Sequence, residues 1–164
     1  MMIRAAATLA TFLVMTAVAQ ADWQFAKWGM SLDQLIAAGK GSVAKTTPEE
    51  GRKQEMGGGL GPAVAKSDYA SNEIKFSTYY YMTQGKLAAV RLLPVSASDG
   101  PRVAEQLNKA HGRPFENNQD QIGACKYKKL KWRDNAGKNL VAYIQVDCAD
   151  SNSAAVQYEP LPRR

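Results

Sequence analysis

The sequence predicts an α+β fold: an antiparallel β-sheet of about six strands packed by two helices. Three observations carry this. Two pairs of β-prone segments flank turns that contain glycine, 73–82 with 86–95 and 126–134 with 139–148. Two shorter segments carry apolar residues at helical spacing, each opened by a capping residue and closed by glycine. The chain has 164 residues, 45% of them hydrophobic and 22% charged, which suits one domain with its own core.

Residues 1–21 stand apart from that domain. Arg4 precedes an apolar run over 5–19, and Ala19-Gln20-Ala21 is a small-x-small cleavage signature. This is the pattern of a secretory signal peptide cut between Ala21 and Asp22. The run is shorter than the ~20 residues a membrane span needs, so the mature chain is expected to carry no transmembrane segment. Cleavage leaves 164 − 21 = 143 residues. It removes one arginine from 21 Lys+Arg and none of the 15 Asp+Glu, so the net charge falls from +6 to 20 − 15 = +5. The expected destination is the bacterial periplasm or the exterior.

The domain opens with Trp23, Phe25 and Trp28 alternating in an extended lead-in that closes one end of the core. Ser31 is a good N-cap for a helix whose stripe is Leu32, Leu35, Ile36 and Ala38, ended by Gly39 and Gly41. From about 46 to 62 the chain is polar and then glycine-rich, and it is expected to be a flexible surface loop. Its glycines meet neither the P-loop pattern nor the dinucleotide fingerprint, so no nucleotide cofactor is implied. Such a loop is the first place to look for a gating or partner-binding segment.

Residues 63–67 form a short strand. The segment 73–82, with Ile74, Phe76 and three consecutive tyrosines, forms a longer one. Thr83-Gln84-Gly85 is read as a three-residue turn into the return strand 86–95. Asp99 caps the second helix and Pro101 suits its first turn. Val103, Leu107 and Ala110 are its apolar face, and Gly112 and Pro114 stop it. A loop over 115–123 leads to the second hairpin, and 154–158 is a last strand.

In that hairpin Leu140, Ala142, Ile144 and Val146 recur at period two, as for one buried face. A three-residue loop, Asn135-Ala136-Gly137, would set Trp132 against Leu140 and Leu130 against Ala142. Lys129, Lys131 and Arg133 then point away, and Tyr127 is out of phase unless a bulge intervenes. Cys125 and Cys148 sit at near-mirror distances from the turn. They are directly opposed if the loop is Ala136-Gly137, and offset by one residue if it is three residues long. The chain's two cysteines and an oxidising destination predict a Cys125–Cys148 disulfide.

The two halves echo one another. Asp33-Gln34-Leu35-x-x-Ala38 parallels Glu105-Gln106-Leu107-x-x-Ala110, and the turns Gly85-Lys86 and Gly137-Lys138 match. That points to two α-β-β-β halves.

Little in the sequence supports catalysis. His111 is the sole histidine, at a helix end where its charge suits the dipole. One histidine and a paired cysteine couple make no metal site. No Gly-x-Ser-x-Gly occurs, and no catalytic residue or cofactor is assigned. The concentrated charge is Lys126, Lys128, Lys129, Lys131 and Arg133, interleaved with Tyr127 and Trp132. Such a row can track a polyanion, and equally it can be a solvated strand face. The expected function is a non-enzymatic periplasmic module that binds an envelope protein or a small ligand. A polyanion-binding envelope protein using strand 126–133 is one alternative, and a hydrolase of unrecognised type is another.

Overall fold

The computed structural model describes residues 22–162. The expected signal segment, 1–21, lies outside them, and the expected cleavage position between Ala21 and Asp22 falls on their boundary. Eight strands form one antiparallel sheet, two more than expected, in the order β3-β4-β5-β6-β10-β9-β8-β7. They are β3 (Ala44–Lys45), β4 (Ala65–Ser71), β5 (Ile74–Thr83), β6 (Lys86–Pro94), β7 (Glu116–Ile122), β8 (Cys125–Asp134), β9 (Asn139–Asp147) and β10 (Asn152–Pro160). A two-residue ribbon, β1 (Asp22–Trp23) with β2 (Ala26–Lys27), precedes them. The helices are α1 (Leu32–Ala38), α2 (Pro48–Lys53) and α3 (Gly100–His111), the last entered through a 3-10 turn at Ala97–Asp99. Among the described residues no helix is long and apolar enough to cross a membrane.

The sheet order is a palindrome: β3, β4, β5 and β6 answer β7, β8, β9 and β10. Each half therefore holds four strands rather than three. The helix echo fits this scheme, because Leu35 of α1 and Leu107 of α3 are both buried in one core. The turn echo does not. The β5–β6 turn corresponds to β9–β10, whereas Gly137-Lys138 joins β8 to β9.

Local chemistry explains most elements. Ser31 caps α1, its Oγ accepting from the Gln34 amide while Gln34 Oε1 accepts from the Ser31 amide at 2.9 Å. Asp99 does not cap α3. It is already helical in φ and ψ, and its carboxylate instead takes the Arg102 guanidinium at 2.9 Å. Asn72-Glu73 and Gln84-Gly85 are two-residue turns with positive φ at both positions, so the loop before Lys86 is one residue shorter than expected.

The core lies between the sheet and helices α1 and α3. Trp23 and Trp28 close one end of it, Trp28 Nε1 donating to the buried Asn139 Oδ1 at 3.0 Å. Strands supply Ile74, Phe76, Tyr80, Val90, Leu92, Leu130, Trp132, Val141, Tyr143 and Val156. The face of β9 is therefore the reverse of the one expected. Trp132 pairs with Val141 and Leu130 with Tyr143, while Leu140, Ala142, Ile144 and Val146 lie on the other side of the sheet. The cause is a four-residue loop. Asp134 pairs with Asn139, and its carboxylate holds the loop by accepting from the Gly137 amide at 2.9 Å and Asn139 Nδ2 at 3.1 Å. A slip of one residue turns every side chain over. Tyr127 joins the lysine face with no bulge.

The disulfide is present, Cys125 to Cys148, with Cα atoms 4.2 Å apart. The register makes the two residues directly opposed.

Candidate functional site

The helix side of the sheet is covered by α1 and α3, with a cavity of about 160 Å³ between α3 and the strands at Phe76, Leu92 and Val156, whereas the opposite side is open and carries a larger cleft. There, neighbouring strands place Tyr79, Arg91, Gln157, Ala142 and Lys131 in one row, and Leu93, Ala155, Ile144 and Lys129 in the next. Ala142 and Ala155 are buried beneath their neighbours, and Leu93, Ile144 and Val146 are half-buried with no helix over them. The result is an apolar floor with cations set into it.

One end of this floor has a roof. The segment 46–62 is not the structureless loop expected. Thr47 and Glu50 form a reciprocal capping box around Pro48 at the start of α2, a Thr-x-x-Glu signal present in the sequence. Lys66 binds the Glu50 carboxylate. Gly51 is buried against the chain at Ala63, whose amide donates to Gly51 O at 3.1 Å. Met56 and Gly61 exchange backbone hydrogen bonds of 2.9 and 3.0 Å, closing a small hairpin whose tip is 57–60. Gly58, Gly59 and Gly61 all have positive φ, which only glycine adopts cheaply. Met56 and Leu60 pack on a second small core of Ala63, Tyr81 and Ala89. Tyr81 also donates its hydroxyl to Gln54 O at 2.7 Å, which ties the roof to the sheet.

Between roof and floor lies a cleft of about 660 Å³, lined on the roof by Glu55, Met56 and Leu60 and on the floor by Ala88, Arg91, Ile144, Gln157 and Glu159. A bulge makes room for it. Tyr81 pairs with Ala89 but Met82 pairs with Leu87, so Ala88 is an extra residue in β6. Arg91 is half-buried at the centre of the sheet. Among the described residues no carboxylate lies within 4.0 Å of its guanidinium. Burial pushes the Tyr81 phenol up, and Arg91 beside it opposes that rise. Gln157 donates its amide to Glu159, so the acid on this wall is already engaged. A guanidinium in a partly apolar cleft attracts a carboxylate or other planar oxyanion bidentately.

The sequence-predicted basic strand is divided between the two faces. Lys129, Lys131 and Arg133 share the open face with Tyr127, and Lys126 and Lys128 project on the helix side. Lys131 is paired with Glu116 at 2.6 Å, and Arg133 lies 4.3 Å from the centre of the Phe115 ring. Strand β8 thus brings three of its five cations to one surface, and two of those three are engaged. Arg91 was absent from the sequence reading. Its signal was a lone cation within the apolar stretch Leu87-Ala88-Ala89-Val90-Arg91-Leu92-Leu93.

Among the described residues no three His, Cys, Asp or Glu side chains gather where they could hold a metal ion. Tyr143 is pushed up to about 12 by burial. Its hydroxyl lies 2.8 Å from both the Gly100 carbonyl and Gln145 Oε1, a structural role between β9 and α3. The fold and site together define a disulfide-linked α+β protein with one helix-covered and one open sheet face. No protein-family model matches the chain, and no curated protein or solved structure is significantly similar to it.

Proposed function

We propose that the protein is an exported, non-enzymatic binding module of the bacterial envelope, cut after Ala21 and active in the periplasm or outside the cell. The ligand, a small molecule or a segment of an envelope protein, seats on the open sheet face under the 55–61 roof. One observation carries this reading: a half-buried Arg91 without a carboxylate partner, at the base of a cleft whose volume suits a small ligand. The disulfide and the lack of a membrane-spanning helix among the described residues are compatible with export.

The test is capture from native envelope extract by immobilised protein, with bound proteins and small molecules identified by mass spectrometry. Ile144→Glu on the floor should abolish capture, and Lys128→Ala on the helix side should not. If wild type and Ile144→Glu retain the same material, the open face is not the binding site. The polyanion alternative predicts retention on heparin that falls steeply with salt. It has less support, because its five cations are split between faces and two of them are engaged.

A further inference from the structure

Strand β7 is an edge of the sheet, paired to β8 on one side only. Its seven residues run Glu-Asn-Asn-Gln-Asp-Gln-Ile, and 117–122 are all exposed. Solvent-facing edges are ordinarily blunted by lysine, proline, a bulge or extreme shortness. β7 carries no lysine and no proline, and its register against β8 is unbroken. The opposite edge, by contrast, is the two-residue β3.

We propose that β7 pairs antiparallel with β7 of a second copy of this chain, joining the two eight-stranded sheets about a two-fold axis at Gln119. Symmetry and charge select that register. With the axis at Gln119, all seven residues pair: Glu116 with Ile122, Asn117 with Gln121, Asn118 with Asp120, and Gln119 with itself. No like charges face each other, and each Asp120 carboxylate meets an Asn118 amide. An axis at Asn118 would set Asp120 against Glu116, and one at Asp120 would set that carboxylate against its own copy. Both are disfavoured for directly opposed residues.

A second observation points the same way. Three large apolar side chains are strongly exposed among the described residues, Val95, Phe115 and Ile122; Phe115 immediately precedes β7 and Ile122 ends it. Phe115 lies over Arg133 on the open side of the sheet. Ile122 is on that same side, because it pairs with Cys125 of the lysine face. The two-fold brings Phe115 of one copy beside Ile122 of the other, at both ends of the joint. The Glu116 carboxylate between them is already turned to Lys131. The occupant is thus a second copy, on an isologous interface.

Sedimentation equilibrium on the oxidised protein tests this, from micromolar to millimolar concentration. The expected result is a monomer–dimer equilibrium. Gln119→Lys and Gln119→Glu each place like charges on the axis and should each raise the dimer dissociation constant roughly tenfold or more. An equimolar mixture of the two should restore association, because the unlike pair attracts. Restoration by mixing excludes misfolding as the cause of the loss, since both variants must be folded to associate. A wild type that stays monomeric throughout overturns the proposal. So does a dimer indifferent to either variant, or a mixture no stronger than its parts.

Discussion

Gly51→Ala would loosen the roof of the cleft by a single methyl group. Gly51 is helical, so alanine by itself would favour α2 by about 1 kcal/mol. The tertiary contact decides otherwise. A Cβ at this position would stand 2.4 Å from the Ala63 carbonyl oxygen, a backbone atom that cannot swing aside. α2 would have to withdraw from the chain at 63 by most of an ångström. That strains the Ala63 amide bond to Gly51 O, 3.1 Å long, and the Thr46 hydroxyl bond to Ala63 O, 2.7 Å long. Overpacking of this kind typically costs about 1–3 kcal/mol, and a weakened hydrogen bond adds roughly 0.5–1.5. Offset by the helix propensity, the net loss is about 1–3 kcal/mol. Urea unfolding followed by fluorescence measures it. Amide exchange should also quicken around Met56 and Gly61. A variant as stable as wild type, or more so, would refute the close approach of α2 to residue 63, and with it the roof.

Other outcomes follow from the same contacts. Replacing Cys125 and Cys148 together by serine should lower stability by about 3 kcal/mol in non-reducing urea unfolding, the loop-entropy value for a separation of 23 residues. The Thr78 hydroxyl is buried without a hydrogen-bond partner. Thr78→Val should therefore be neutral or stabilising by about 1 kcal/mol, where the loss of a true hydrogen bond would show as destabilisation. Glu50 is held down to about 2 by the Lys66 ammonium first and the Thr47 amide second. Its folded pKa lies below the unfolded value, so its contribution is present above about pH 4.5 and disappears as pH falls toward 2. Thermal melts of Glu50→Gln should lose that part of the acid sensitivity, and an unchanged pH profile would contradict the pairing. Tyr80, Tyr81, Tyr143 and Tyr158 are all raised by burial. Their neutral forms favour folding below pH 10, and that support is lost as pH climbs toward 12, which phenolate absorbance would follow.

The α+β class and the Ser31 cap were legible because each rests on local chemistry, and the disulfide because the chain's two cysteines sit at near-mirror distances from one turn. The face of β9 was not, because both of its faces are apolar. Leu140, Ala142, Ile144 and Val146 alternate as cleanly as Val141 and Tyr143, and period two cannot choose between them. The choice is made by Asp134 holding a four-residue loop and by Trp28 bonding Asn139, contacts between distant or loop residues. β7 was unreadable for a different reason. Its polar residues have low strand propensity, and it is a strand because β8 offers an unpaired backbone one short turn away at Gly123. The cleft was half legible. Its glycine-rich segment stood out, whereas the Thr-x-x-Glu cap at Thr47 was passed over in a segment read as loop. That this segment lies over β6 and beside Arg91 depends on tertiary packing alone. The division of the basic run on β8 was legible, because strand alternation alone sets Lys129, Lys131 and Arg133 opposite Leu130 and Trp132.

The most direct test of the open-face account is an amide NMR spectrum of isotopically labelled protein, recorded alone and in native envelope extract. In the free protein the amides of 57–60 donate to no group among the described residues, so they should report a bound ligand sensitively. A ligand on the open face should shift only the 56–61 roof, Arg91, Ile144 and Ala155. Shifts centred on Lys126, Lys128 and α3, with the roof unmoved, would contradict it.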